Sequence, residues 1–153
     1  MNKTDKRSKK YSTKDSTGFL VRSLHQSFNR NLAQKITSED LTTAQWYFLR
    51  ALWEKEGVAQ KELSRSVGLT ESTTVAALKI LEKKGLIKRK RDSKDTRRIN
   101  VSLTSKGRSV EEKLLSDVMT INSIARKGYS AAEIKAFHKI LRDMQHKLEI
   151  VSD

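Results

Sequence analysis

The stretch KRKRDSKDTRRINVSLT, residues 88–104, gathers seven lysines and arginines around two aspartates before turning into an apolar alternation. Cations at that density grip phosphate rather than break bonds, and the two carboxylates among them are spaced to organise them. Asp95 lies two residues before Arg97 and is placed to accept from its guanidinium. That holds a flexible side chain in one pose for a narrow, electronegative minor groove. Asp92 suits a different task, stabilising the turn through its own backbone. Upstream, Ser72, Thr73, Ala76, Lys79 and Lys83 recur at helical spacing, small and polar first and basic later, as a helix entering a major groove requires.

Catalytic chemistry finds no comparable pattern. His25, His138 and His146 fall on separate helical segments with no H-E-x-x-H, although His138 and His146 are eight apart and could share a face. Dinucleotide-binding, P-loop and G-x-S-x-G patterns are missing, and the serines have no recognisable base nearby. There is no cysteine, which excludes disulfides, thiolate sensing, cysteine-zinc sites and cysteine nucleophiles. A binding protein rather than an enzyme is expected, with no metal and no cofactor.

The elements that must position these residues fit in one domain of 153 residues, 36% hydrophobic and 33% charged. That apolar mass is low for the length and hints at oligomerisation. The net charge of +14 is not spread evenly. Residues 1–14 hold six Lys/Arg against one Asp, and residues 83–108 hold eleven against two, which accounts for the whole excess. Such a basic balance favours nucleic acid or another anionic partner. No run of 18 apolar residues and no signal-peptide core is present, so a cytoplasmic protein with no membrane partner is expected.

Residues 1–16 read as a disordered basic arm. Residues 17–40 hold an N-terminal helix with Leu20, Leu24, Phe28 and Leu32 at helical spacing. A second helix opens with Thr42 and Gln45 as a capping box and carries Trp46, Leu49 and Trp53 on one face. Gln60 to Val67 forms a short helix, Gly68 and Leu69 a tight turn, and Thr70 caps a further helix to about Lys84, a helix-turn-helix spacing. Thr74, Ala77, Leu78 and Leu81 are its inward positions. Gly85 ends it, LIKRKR runs as a strand, DSKDTR makes a loop, and RINVSLT returns with Ile99, Val101 and Leu103 alternating. A helix-turn-helix followed at once by such a hairpin is a winged helix. The fold class is thus mainly α with a small β-wing, and residues 41–104 form the winged helix-turn-helix. The candidate DNA contacts are Gln60, Thr70, Ser72, Thr73, Ala76, Lys79 and Lys83 from the helices. From the wing come Lys88, Arg91, Lys94, Asp95, Arg97 and Arg98.

LTESTTVAALKILEKKGLI and the wing signature DSKDTRRINVSLTSKGR resemble the multiple antibiotic resistance regulator (MarR) family of bacterial winged-helix transcription factors, and the helical layout extends the likeness from about residue 17 to the end. The resemblance implies that Asp95-Thr96-Arg97 sets a minor-groove arginine. It also implies an obligate dimer, repression of nearby genes, and release by a small, often aromatic or phenolic, anionic ligand. Many relatives carry an arginine where this chain has Ala76. Base readout must then lean on Ser72, Thr73 and Lys79.

Residues 105–153 read as C-terminal dimerisation helices. Thr104 is placed to cap one with Val110, Leu114, Val118, Ile121 and Ala125 in a stripe, and Ser130 with Glu133 makes a second capping box. Ile134, Phe137, Leu141, Met144, Leu148 and Val151 then repeat at alternating spacings of three and four, a seam suited to a partner helix. Packing of this seam with Leu20 and Leu24 of a twin predicts a homodimer on a pseudo-palindromic double-stranded operator. By the resemblance, a ligand would lie between the first two helices and the dimerisation helices, with His25 and Arg50 on a carboxylate, Trp46 stacked on a ring and Phe28 beside it. These aromatic residues suit a core equally well. An architectural winged helix on DNA or RNA, without sensing, is the alternative, and sequence selectivity separates the two.

Overall fold

The computed structural model describes residues 13–151. Most of the expected basic arm lies outside the described residues. Its last part is not unstructured, because Thr13–Asp15 forms a single 3-10 turn leading into helix α1 (Thr17–Ile36). The chain divides into two compact units, the first ending at Val118 and the second beginning at Met119.

In the first unit, α1 buries Leu32 and Ile36 at its C-terminal end. A 3-10 turn (Thr37–Glu39) follows, and Asp40 takes up left-handed backbone (φ 52°) to redirect the chain into helix α2 (Thr43–Glu54). Both halves of the capping box form there: Gln45 N donates to Thr42 Oγ1 at 3.3 Å and Thr42 N to Gln45 Oε1 at 3.2 Å. Trp46, Phe48, Leu49 and Leu52 of α2 are buried and build the centre of the core.

Strand β1 (Val58–Ala59) precedes helix α3 (Gln60–Val67), and helix α4 (Glu71–Lys83) follows. Between the two helices Gly68 sits at φ 71°, a conformation that a side chain resists, which allows the tight turn. Ser64 Oγ donates to Leu69 O at 2.7 Å and closes that turn from the α3 side. Thr70 caps α4 by accepting from Thr73 N at 3.2 Å, and Thr74, Ala77, Leu78 and Leu81 form its buried face. The wing is strands β2 (Ile87–Arg91) and β3 (Ile99–Leu103), antiparallel, with Ile87 opposite Leu103 and Arg91 opposite Ile99. β1 adds to the outer edge of β3, with Val58 opposite Val101, giving a three-stranded sheet in the order β1-β3-β2. The third strand is not anticipated by the sequence reading.

Helix α5 (Ser105–Arg126) begins inside this unit. Thr104 Oγ1 donates to Gly85 O and accepts from Gly107 N, tying the start of α5 to the end of α4. Gly107 lies so close to Leu86 that a Cβ there would stand 2.0 Å from the Leu86 carbonyl oxygen. Its own carbonyl accepts from Trp53 Nε1 at 3.1 Å. Val110, Leu114 and Val118 are buried. That half of the stripe is an internal contact, so the C-terminal segment expected from residue 105 is in part core of the first unit.

In the second unit, Ser130 and Glu133 complete the expected capping box, with Ser130 N donating to Glu133 Oε2 at 2.8 Å and Glu133 N to Ser130 Oγ at 3.3 Å. These bonds hold the Glu133 carboxyl below its usual range. Helix α6 (Ala131–Val151) follows. Phe137, Ile140, Met144 and Leu148 are exposed by 39–69%, and Ile134 and Leu141 are half-buried.

Candidate nucleic-acid interface

The outward face of α4 is built by subtraction. With Thr74, Ala77, Leu78 and Leu81 committed to the core, Ser72, Thr73, Ala76, Lys79 and Lys83 are all exposed. At the helix N-terminus three hydroxyls form a cluster: Thr70 Oγ1 donates to Thr73 Oγ1 at 2.9 Å and lies 3.1 Å from Ser72 Oγ. Small hydroxyl side chains at a helix N-terminus permit close approach to a base edge, and lysines further along are suited to phosphate. Ile80 lies on the same face at 46% exposure. It is absent from the contacts read from the sequence, although its spacing from Thr73 and Ala76 signals it.

The wing tip is organised by its aspartates in two distinct ways. Asp92 Oδ1 accepts from Lys94 N at 2.9 Å and Asp95 N at 3.1 Å, while Asn100 Nδ2 donates to its Oδ2 at 2.9 Å. The Lys94 amide first, and then Asn100, hold this carboxyl below the ordinary range, so the turn is stapled by a charge that stays ionised. Asp95 Oδ1 accepts from both the backbone N (3.1 Å) and Nε (3.2 Å) of Arg97. The Arg97 side chain nevertheless stays 91% exposed, anchored at its base and open at its two terminal nitrogens. A projecting, pre-oriented guanidinium of this kind fits a narrow groove.

The basic run is not uniform. Arg89, inside it, turns away from solvent (18% exposed) to make a bidentate pair with Glu82 of α4, Nε and Nη2 donating to Oε2 at 2.9 and 2.7 Å. Its backbone N donates to Glu82 Oε1 at 3.0 Å. The Arg89 guanidinium, before any other influence, holds the Glu82 carboxyl low. Three hydrogen bonds from Arg89 to the Glu82 carboxylate thereby join α4 to the wing base. Lys84 is likewise engaged, donating to Asp40 O and to Asp40 Oδ2. Lys79, Lys83, Lys88, Arg91 and Lys94 are exposed and make no ion pair among the described residues, while Arg98 Nε donates to Asn100 Oδ1 at 3.0 Å.

Two concavities flank these groups. A cleft of about 380 Å³ between the helix-turn-helix and the wing is lined by Gln60, Ser64, Thr74, Asp95, Arg97 and Arg98, among others. Gln60 is half-buried there, and its Oε1 is enclosed with no hydrogen-bond partner among the described residues. A trough of about 920 Å³ runs along the wing past Lys88, Lys90, Arg91, Asn100 and Ser102.

None of the four candidate ligand residues lines either concavity, and they differ in exposure. Trp46 is 1% exposed and packs edge-on against Trp53 with ring centroids 5.0 Å apart, so its faces serve the core and cannot stack on a ligand ring. Arg50 is exposed and pairs with Glu54 at 3.9 Å. His25 is exposed, with Nε2 2.9 Å from Asn29 Nδ2, and Asn29 Oδ1 accepts from Tyr47 Oη at 2.8 Å. Burial pushes the Tyr47 hydroxyl up, against the opposing pull of the Arg50 charge. Phe28 is half-buried, and neither concavity contains any of the four. Among the described residues no cluster of three or more histidines, aspartates or glutamates could hold a metal, and no helix is long and apolar enough to cross a membrane.

A helix-turn-helix whose second helix offers small hydroxyls and lysines, locked to a wing with a projecting arginine, defines a winged-helix DNA-binding regulator rather than an enzyme. The sequence model of the MarR family matches residues 41–99. The chain is 34% identical over 130 residues to the HTH-type transcriptional regulator TtmR of Methylorubrum extorquens strain PA1, covering 85% of this chain and 66% of that protein, just under two thirds of its length. It is 30% identical over 128 residues to the transcriptional regulator HosA of Escherichia coli, covering 80% of this chain and 92% of HosA. Among solved structures, the MepR–DNA complex of Staphylococcus aureus superposes with a TM-score of 0.79 at 26% identity, covering 86% of this chain and 98% of that one. The PcaV regulator of Streptomyces coelicolor with its natural ligand gives 0.76 at 26% identity, covering 89% and 96%. The chain belongs to the MarR family of transcriptional regulators and binds DNA.

Proposed function

We propose that this chain acts in the cytoplasm as a homodimeric, sequence-specific repressor on a pseudo-palindromic operator, released by a small aromatic or phenolic anion. The observation that carries the reading is the Arg97 guanidinium anchored on Asp95 beside the exposed face of α4. Ser72, Thr73 and Lys79 meet base edges, and Arg97 enters the adjacent minor groove. Thr70, Lys83, Lys88, Arg91, Lys94 and Arg98 hold the phosphates, with Gln60 at the wall between helix and wing. Apolar residues open on α1 (Leu20 53%, Leu24 44%) and on α6 (Phe137 44%, Leu148 69%) support association with a second copy through Leu20, Leu24, Ile134, Phe137, Leu141, Met144 and Leu148.

The solved PcaV complex supports response to a ligand. Of the four candidate ligand residues His25 and Arg50 are exposed and open to an anion, Phe28 is half-buried, and Trp46 belongs to the core. A ligand that prefers a dimer with mismatched recognition-helix spacing draws the population away from DNA. Fluorescence anisotropy on duplex DNA from upstream of the chain's own gene, against a scrambled duplex across a salt series, tests the reading. Selective binding that persists at physiological salt supports it; equal affinity for both, with only a salt-driven loss, favours an architectural protein instead.

A further inference from the structure

The exposed face of α4 is two-sided. Successive residues advance about 100° around a helix, which places Ala76 at the middle of the face, Thr73 and Ile80 along one flank, and Ser72, Lys79 and Lys83 along the other. One flank is cationic. The other ends in side chains that offer methyl groups: Ile80 is 46% exposed, Ala76 is exposed, and the Thr73 hydroxyl is engaged by Thr70 at 2.9 Å. Ile80 leaves nearly half of its surface open to solvent on this helix, while the buried face of the helix is formed by Thr74, Ala77, Leu78 and Leu81.

In the major groove one base carries a methyl group. Thymine presents its C5 methyl beside the O4 acceptor, and apolar side chains read it by contact, whereas guanine is read by long cationic or amide donors. Ala76 can donate no hydrogen bond, and neither can Ile80. We infer that Ala76 and Ile80 are specificity-determining residues that read thymine methyl groups in each half-site, with Thr73 alongside. This inference rests on the DNA-reading assignment of α4 and adds the base that its apolar flank selects. On the basic flank Lys83 lies along the neighbouring phosphates and helps set the depth at which the methyl-bearing flank meets the bases.

Selection of binding duplexes by the full chain from a randomised pool, followed by replacement of the enriched thymines with deoxyuridine, tests it. Deoxyuridine keeps the pairing edge and removes only the methyl. Replacement of one contacted thymine is expected to weaken binding of the wild-type chain about fourfold, and replacement in both half-sites about fifteenfold. The Ile80→Ser variant changes a partly exposed position outside the buried face, and in it the penalty for deoxyuridine should shrink at the thymine that Ile80 contacts. Equal affinity of the wild-type chain for thymine and deoxyuridine duplexes overturns the inference while leaving selective DNA binding intact. A penalty that persists unchanged in both Ile80→Ser and Ala76→Ser overturns it too, because the effect then comes from DNA shape. A pool with no enriched sequence refutes sequence-specific reading itself, and the inference with it.

Discussion

The two compact units treat their apolar residues in opposite ways. Up to Val118 the chain encloses them: Trp46, Phe48, Leu49, Leu52, Leu63, Leu78 and Leu81 are each no more than 1% exposed. The helix α6 of the second unit has an apolar repeat just as regular, yet Phe137, Ile140 and Leu148 are exposed by 44%, 50% and 69%. A closed core needs no partner, whereas an open apolar seam on a helix of this length is an invitation to one. The difference separates two tasks. On the proposed function, the first unit would fix the groups that read DNA and the second would supply surface for a second copy.

The comparison can be broken most forcefully on the open side. Leu141→Glu is expected to convert a dimer into monomers in sedimentation velocity and to lower affinity for a two-half-site duplex by at least about 100-fold, because the second half-site then loses its tethering advantage. A persistent dimer would place the seam elsewhere. On the closed side, Gly107→Ala drives a methyl against the Leu86 carbonyl. It should destabilise the fold by about 2–3 kcal/mol, read as a lower denaturation midpoint with dimer interfaces untouched. Arg97→Ala leaves packing alone and should cost about 10- to 100-fold in DNA affinity, with the salt slope shallower by about one.

A smaller effect tests how the reading unit is held together. Glu82→Gln removes the charge that Arg89 grips, and a loss of about 1 kcal/mol in stability at neutral pH is expected, modest because Glu82 is partly exposed. Arg89 depresses the Glu82 pKa, so this stabilisation is present above the ordinary carboxylate pKa and is lost as the pH falls through the depressed value. Thermal melts of the wild type and Glu82→Gln should therefore converge as the pH falls into the acidic range, and a gap that stays constant would show that the Glu82 charge is not its source. The smallest expected effect is that of Asp95→Ala, which frees Arg97 without removing it and should weaken DNA binding about two- to fivefold. No change in either Asp95→Ala or Arg97→Ala would sink the role given to the wing tip.

Local chemistry was the readable part of the sequence. Thr42 with Gln45, Thr70 before α4, Ser130 with Glu133, and Asp95 with Arg97 all act over two or three residues, and each makes the contact its spacing suggests. Non-local pairings were not readable. Strand β1 has only two residues and exists because Val58 and Ala59 lie opposite Val101 and Asn100, which no periodicity announces. Arg89 looks like its basic neighbours until Glu82, seven residues earlier, is brought beneath it by the turn at Gly85. Trp46 shows the other limit, since an aromatic on a helix face suits a core and a ligand site equally, and only packing against Trp53 decides. The stripe in α5 divides for the same reason, buried through Val118 and open beyond Ile121.

The most direct measurement of a two-headed reader is a spacing experiment. Anisotropy would be recorded for the full chain on a selected duplex and on the same duplex with five extra base pairs between its half-sites. A half-turn insertion rotates one half-site to the opposite side of the helix, so two recognition helices fixed by a dimer can no longer both dock, and affinity should fall at least about 50-fold. Equal affinity for the two duplexes would mean that each reading unit binds on its own, and would contradict a dimer that spaces the two heads.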